Sequence, residues 1–164
     1  MNTDRIEKKI VLRASLERVW NAISDAKQFG SWFGVDFDGS FVEGAHLTGR
    51  IVPTTVDAEV AKLQEPHSGK RFEWTVDRIA PMRRLSFRWH PFAVEPNIDY
   101  SKEPMTLIVF ELQEVADGIL LTITESGFDQ IPLARSAKAF AANEGGWEKQ
   151  TQLIQKYLAL QSKG

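Results

Sequence analysis

The chain contains no cysteine. It therefore forms no disulfide bond, has no thiolate nucleophile and cannot hold zinc or an iron–sulfur cluster through cysteine ligands. The sequence also lacks an apolar signal-peptide stretch and any apolar run near the ~18 residues that a membrane-spanning helix needs. Because disulfides are rare in reducing compartments, these absences together predict a soluble, cytoplasmic protein without a membrane span.

An excess of charge of either sign is also missing. Lys and Arg number 20, Asp and Glu number 22, and the formal net charge is -2. Proteins that bind nucleic acids or anionic membranes carry a basic patch or stripe. The chain has no such footprint, so we expect neither nucleic acid nor an anionic membrane as a partner.

Motifs for metal, nucleotide and serine chemistry are lacking as well. His46, His67 and His90 are isolated and show no metal-ligand spacing, so we predict no metal site. The glycines form neither a G-x-G-x-x-G motif nor a phosphate loop, and residues 125–127 supply only half of a G-x-S-x-G nucleophile elbow. We therefore expect no cofactor and assign no catalytic residue.

Near the amino terminus, the residues that are present predict an edge strand and two short helices. Apolar and charged residues alternate weakly over residues 5–13, which favours the strand. Ser15 is a typical helix N-cap, and apolar residues then recur at helical spacing over residues 16–23. A second short helix carries residues 29–33, and Gly34 ends it because glycine accepts the left-handed conformation.

Strand patterns dominate the middle of the chain. Period-two alternation is clearest over residues 71–79 and 84–90, which indicates a sheet with one buried face. Further strands are predicted at residues 35–43, 46–53, 106–115 and 119–126, the last two forming a hairpin closed by Asp117-Gly118. Residues 54–69 and 91–104 read as long connections, the first with some order over residues 56–63, and residues 99–101 are a candidate lid or a loop anchored by its own tyrosine.

One long helical pattern, from Leu133 to Leu160, is interrupted only by Gly145-Gly146. The glycine pair costs roughly 2 kcal/mol relative to two alanines, which points to close approach of another backbone, to a bend, or to a break between two helices. The element order predicts one α+β domain over residues 1–164. In this helix-grip arrangement a curved antiparallel sheet of about six or seven strands packs on the long helix and can leave a cavity.

Large rings and a few polar side chains are the candidates for the cavity lining. The rings lie on inward strand parity or on inward helix faces, and five tryptophans suit a pocket for an apolar or ring-shaped ligand. The predicted ligand-cavity residues are Trp20, Trp32, Phe33, Phe72, Trp74, Phe87, Trp89, Phe110, Glu125, Phe140, Asn143, Glu144, Trp147 and Thr151.

The two carboxylates in that set each admit two interpretations. Glu144 lies on or beside the inward stripe of the long helix, where a carboxylate is costly unless it is paired or hydrated. It either faces a polar space or lies at the mouth of the fold and reaches solvent. Glu125 has inward strand parity and either serves a ligand as base or acceptor, or meets a salt bridge or solvent near Gly127.

The sequence resembles the SRPBCC (START-like, birch-allergen-like) superfamily, and within it proteins similar to the carboxy-terminal domain of the activator of heat-shock protein 90 ATPase. The matching segments are residues 19–22 (VWNA), 32–34 (WFG), 72–76 (FEWTV), 81–89 (PMRRLSFRW), 121–128 (LTITESGF) and 146–147 (GW). The resemblance implies a helix-grip fold with a hydrophobic cavity between sheet and terminal helix. It does not imply one activity, since members bind lipids, polyketides or hormones and some are cyclases or hydrolases.

We therefore expect binding of a small hydrophobic molecule, lipid-like or aromatic, in the cavity, without catalysis. One alternative is a co-chaperone-like protein that binds and stimulates a heat-shock chaperone ATPase through its surface. A second alternative is a cavity enzyme that uses Glu125 or Glu144 as acid or base, which requires one of them within hydrogen-bond reach of a ligand.

Overall fold

A computed structural model describes residues 5–91, 103–131 and 133–161 of the chain. The candidate lid at residues 99–101 lies outside the described residues. In chain order the elements are β1 (Arg5–Leu12), α1 (Leu16–Ser24), α2 (Ala26–Phe33), β2 (Val35–Phe37), β3 (His46–Ile51), α3 (Ala58–Gln64), β4 (Arg71–Ala80), β5 (Arg84–Trp89), β6 (Thr106–Val115), β7 (Gly118–Ser126) and α4 (Leu133–Gln161). Short 3-10 helices follow α3 and β7, at Glu65–His67 and Phe128–Gln130.

The seven strands form one antiparallel sheet in the order β1-β7-β6-β5-β4-β3-β2. The amino-terminal strand lies at one edge, as its weak alternation predicts. The pairing of β4 with β5 shifts register between Val76 and Arg78. At this bulge the Ser86 hydroxyl accepts a hydrogen bond from Arg78 N at 3.2 Å and donates one to the Asp77 carboxylate at 3.0 Å. Such bulges bend a strand. The predicted α+β helix-grip fold with a curved antiparallel sheet is confirmed.

The helix ends follow from local sequence. Ser15 Oγ accepts a hydrogen bond from Arg18 N at 3.2 Å and caps α1, as predicted, and Asp25 caps α2 in the same way. Gly34 ends α2 with a φ of 96°, in the left-handed region.

Two connections differ from the sequence prediction. Strand β2 ends at Phe37 instead of continuing to residue 43, and the Asp38 carboxylate accepts a hydrogen bond from Thr48 N at 2.9 Å beyond it. The predicted loop at residues 54–69 contains α3, whose first turn is capped by Asp57 with bonds of 2.9 and 3.0 Å from Glu59 N and Val60 N. This third short helix is important because it lies beside the pocket described below.

The core is a cluster of aromatic rings on the concave face of the sheet. Phe29 of α2 is fully buried, with ring centroids of neighbouring aromatics 4.8 to 6.0 Å from its own. Its neighbours come from α2, the sheet and the loop after β2: Trp32, Phe33, Phe37, Phe41, Trp74, Phe87 and Phe110. Close packing of these rings fills the centre of the fold.

Helix α4 runs without interruption through Gly145-Gly146 and packs one face on β1 and α2. The buried stripe includes Ala139, Trp147, Thr151, Ile154 and Leu158. The alternative of two separate helices is therefore wrong. Within the described residues, no helix combines the length and the apolar character that crossing a membrane requires.

Candidate functional site

A buried carboxylate lies where the sheet meets α4. Glu125 has no solvent exposure, and each of its two carboxylate oxygens accepts two hydrogen bonds. Oε2 accepts from Trp89 Nε1 at 2.6 Å and from Thr106 Oγ1 at 2.5 Å. Oε1 accepts from Asn143 Nδ2 at 2.9 Å and from Trp147 Nε1 at 2.8 Å. We call these four donor side chains the Glu125 cradle.

Strand and helix periodicity bring the cradle together. Alternate residues of β7 are buried, which places on one face Ile119, Leu121, Ile123 and Glu125. Trp89 and Thr106 are opposite each other in the pairing of β5 with β6. Asn143 and Trp147 are four residues apart in α4 and share a helix face. The carboxylate therefore links three adjacent strands to the long helix.

The donor set fits an ionised carboxylate. Amide and indole N–H groups only donate, and an ionised carboxylate only accepts. Among the described residues no Lys, Arg or His pairs with Glu125, so hydrogen bonds from neutral donors replace its lost hydration. Because each oxygen already accepts two bonds, Glu125 has no free lone pair with which to take a proton from a ligand.

A pocket of about 370 Å³ opens beside the cradle, between α3, the middle of α4 and the paired ends of β4 and β5. We call it the main pocket. It is lined by Phe33, Gly34, Val35, Ile51, Val60, Leu63, Gln64, His67, Phe72, Trp89, His90, Ala142, Asn143, Gly146, Lys149 and Gln150. A smaller space of about 60 Å³, the inner recess, shares five of its six lining residues with the main pocket and adds Trp147. Two cradle residues, Trp89 and Asn143, thus donate a hydrogen bond to Glu125 and also line the main pocket.

Two glutamines fix the floor of the main pocket. Gln64 Nε2 and Gln150 Nε2 both donate to the carbonyl oxygen of Phe33, at 3.1 and 3.2 Å. Gln64 Oε1 in turn accepts from Thr54 N at 2.7 Å. The end of α2 is thereby joined to α3 on one side and to α4 on the other, and the pocket walls are preformed.

Two polar atoms of the pocket-lining residues have no hydrogen-bond partner among the described residues. They are His90 Nδ1 and Gln150 Oε1, both buried. The His90 side chain is only 7% exposed, and its Nε2 lies 3.5 Å from Glu73 Oε2. Alternation over the predicted strand at residues 84–90 would place His90 on the outer face, but β5 ends one residue earlier, at Trp89. Buried polar atoms of this kind are costly unless a partner is supplied.

The structure divides the predicted ligand-cavity residues into two groups. Phe33, Phe72, Trp89 and Asn143 line the main pocket, Trp147 lines the inner recess, and Glu125 lies behind them. The others lie elsewhere: Trp32, Trp74, Phe87 and Phe110 are fully buried in the ring cluster, Trp20 packs half-buried against it, Phe140 contacts Phe128, Thr151 donates to Glu148 O, and Glu144 is exposed on α4.

Sequence reasoning missed the wall that α3 contributes. Val60, Leu63 and Gln64 have helical spacing, and Asp57 precedes them as an N-cap, so a signal existed in the segment. It is weak because the helix has seven residues and buries none of them completely. Gly146 and Gln150 were also missed, since neither a glycine nor an amide in a helix identifies a pocket by itself.

A second groove, of about 580 Å³, lies between the start of α2 and β2. It is lined by exposed polar groups, including an Asp36–Arg50 ion pair of 3.4 Å. The described side chains that bury an unpartnered polar atom are Trp74, His90 and Gln150, and none of them lines this groove. In the part of the chain that the structure describes, no three His, Asp or Glu side chains are grouped to hold a metal ion. The main pocket is therefore the better candidate site.

Residues 13–159 match the model of the family described as Activator of Hsp90 ATPase homolog 1-like protein. The match spans nearly all of the fold. The chain belongs to this family. A comparison with curated proteins gives no match.

Solved structures share the fold of this family member. A solution structure from Arthrobacter aurescens has a TM-score of 0.72 at 16% identity, over 97% of this chain and 89% of that chain. The Aha1 dimer from Colwellia psychrerythraea has a TM-score of 0.66 at 18% identity, over 94% and 95%. DynU16, from the dynemicin biosynthetic locus, has a TM-score of 0.65 at 22% identity over 95% of this chain, which spans 47% of DynU16. These likenesses show the fold alone.

Replacing the Glu125 carboxylate tests whether the hydrogen bonds of the cradle stabilise the folded protein. Glu125→Gln places an amide nitrogen against donor groups, so at least one buried N–H loses its acceptor. We expect the free energy of unfolding to fall by about 2–3 kcal/mol, measured by urea denaturation. Glu111→Gln, at an exposed position of β6, is the matched control and should change it by less than about 0.5 kcal/mol. Equal stabilities of the two variants would contradict the role assigned to the cradle.

An ion pair between Asp57 and Lys156 joins the start of α3 to α4, with a Nζ to Oδ2 distance of 2.5 Å. The hydrogen bond from Lys156, supported by the Val60 amide, holds the pKa of Asp57 below its usual value. A lowered pKa in the folded state means that the pair stabilises the fold above the unfolded-state pKa and that this stabilisation disappears as the pH falls through the folded-state pKa.

We therefore expect Lys156→Met to raise the pKa of Asp57 toward its ordinary value, as followed by NMR titration of the carboxyl carbon. Lys149→Met is the matched control, because Lys149 lies about two turns earlier on α4 and outside the ion pair. This variant should leave the pKa of Asp57 low. The stability difference between wild type and Lys156→Met should be present near neutral pH and vanish in acid. An unchanged Asp57 pKa in Lys156→Met would show that the ion pair does not hold α3 in solution.

Proposed function

We propose that this protein binds a small, largely apolar molecule in the main pocket. The observation that carries the proposal is the pocket itself, a preformed space of about 370 Å³ with aromatic and aliphatic walls and a few fixed polar groups. Sites for small organic ligands have this size and this mixture of surfaces. Phe33, Phe72 and Trp89 supply the aromatic surface, and Asn143 and Gln150 are held in place by hydrogen bonds.

The charges around the pocket favour a neutral or anionic ligand. Its described lining residues include Lys149 but no Asp or Glu. The nearest acid in the hydrogen-bond network, Glu125, is screened by its four donors and does not line the pocket. A cationic ligand would lose its hydration without meeting a carboxylate, which is costly.

The arrangement gives no support to the alternative of a cavity enzyme. A general base must reach the proton that it takes, within hydrogen-bond distance. Both oxygens of Glu125 are occupied by protein donors, and Glu144 is exposed on the outer side of α4 and lines neither the main pocket nor the inner recess. We therefore propose that the main pocket binds its ligand without acid–base catalysis by either residue.

The proposed site is tested by filling it from α4. Ala142 lines the main pocket, whereas its neighbour Ala141 is exposed and does not. We expect native mass spectrometry and tryptophan-fluorescence titration against a library of lipids and aromatic compounds to identify ligands, and Ala142→Phe to weaken their binding about tenfold or more, since Phe occupies the ligand's space. Ala141→Phe should bind as wild type does. Absence of any binding, or equal loss in both variants, would overturn the proposal.

Family membership favours one further candidate, a co-chaperone that binds a heat-shock chaperone and stimulates its ATPase. This candidate uses the outer surface rather than the pocket, so the two are separable. If it is right, the purified protein raises the ATPase rate of the chaperone, and Ala142→Phe raises it equally. No stimulation at high micromolar protein would dismiss this candidate and leave the pocket proposal unchanged.

A further inference from the structure

Two adjacent glycines lie in the middle of α4 without a structural need for them. Gly145 and Gly146 are helical, and neither is among the glycines with positive φ. A methyl group added at either position would meet no atom within 4 Å. At Gly30, by contrast, it would lie 2.1 Å from Val35 O, so that glycine is required by packing. Since glycine is a poor helix former, alanine would suit both α4 positions better on structural grounds.

The two glycines differ in what they face. Gly146 lines both the main pocket and the inner recess, and Gly145 lines neither. The absent side chain of Gly146 therefore leaves bare helix backbone in the wall of the pocket. In a recess of only about 60 Å³, a methyl group at this position would take space that a ligand could use.

Two of the residues that line the same spaces supply flat rings in fixed positions. Trp89 and Phe33 line both spaces, with ring centroids 6.3 Å apart. Trp89 is held by its 2.6 Å bond to Glu125, and the backbone of Phe33 is held by Gln64 and Gln150. Aromatic walls favour aromatic ligands through stacked and edge-to-face contacts.

One buried polar group adds a chemical requirement. His90 lines the same pocket, its side chain is more than nine-tenths buried, and its Nδ1 has no partner among the described residues. With the ring hydrogen on Nε2, which faces Glu73, Nδ1 is an acceptor. A ligand that satisfies it must supply an O–H or N–H group.

From these observations we propose that the ligand is a planar aromatic compound carrying a hydroxyl or N–H group, and that Gly146 is the residue that admits its ring. The inference rests on the proposed function of the main pocket and specifies the ligand class for it. The ring lies against the bare backbone of α4 at Gly146, opposite Trp89 and Phe33, and its donor group meets His90.

The test uses three probes of one carbon skeleton, measured by isothermal titration calorimetry. 2-Naphthol is planar and carries a donor, 2-methoxynaphthalene is planar without one, and decahydro-2-naphthol carries the donor on a puckered ring. We expect 2-naphthol to bind about tenfold more tightly than either of the others, in line with one satisfied buried hydrogen bond or one lost aromatic contact. In His90→Phe the preference of the site for naphthol over its methyl ether should disappear.

The glycine pair supplies the matched variants. Gly145→Ala and Gly146→Ala should both raise the melting temperature, by about 2–4 °C each, because alanine favours the helix. Only Gly146→Ala should weaken naphthol binding, by about tenfold. Since this variant is expected to be the more stable protein, loss of binding cannot be attributed to unfolding.

The outcomes separate the inference from the function on which it rests. If naphthol binds but Gly145→Ala and Gly146→Ala bind it equally, or if the three probes bind alike, the ligand class proposed here is wrong while the pocket remains a binding site. If none of the probes and no compound of the wider library binds, the proposed function fails and the inference fails with it.

Discussion

The hydrogen bonding of one buried carboxylate determines how the sheet meets the long helix. Glu125 accepts four hydrogen bonds from side chains on β5, β6 and α4, and it has no cation beside it in the described part of the chain. A buried charge is tolerated only when such donors replace water, so all four must be in place together. The carboxylate consequently joins the strand ends to α4 directly beside the main pocket.

Structure and proposed function share these residues. Trp89 and Asn143 donate hydrogen bonds to the Glu125 carboxylate and also line the main pocket. Because hydrogen bonds already hold these side chains in place, they lose little conformational entropy when a ligand binds, which favours binding. The packed rings around Phe29 contribute differently, since they fill the centre of the fold, and the main pocket lies at the end bounded by α3 and α4.

The sequence allowed the fold and part of the site to be predicted. Period-two patterns located the central strands, and parity placed Glu125 inside, because these signals are local. The partners of Glu125 could not be predicted, since they depend on register between distant strands and on the position of α4. The predicted strand at residues 84–90 would place His90 on the outer face, which is wrong because strand alternation does not apply beyond Trp89. The sequence predicted only some order in the segment of α3 and not a helix, because tertiary contacts such as Asp57–Lys156 and Gln64–Phe33 hold it in place.

We propose that the space beside the Glu125 cradle receives a ligand. The most direct measurement is a ¹H–¹⁵N NMR titration that follows the indole N–H signals of the five tryptophans and the backbone amide of Gly146. Addition of a bound aromatic compound should shift the signals of Trp89 and Gly146 and leave that of Trp32, buried in the ring cluster and bonded to Ala22 O, unchanged. Shifts confined to residues around the second groove, with Trp89 and Gly146 unmoved, would contradict the account.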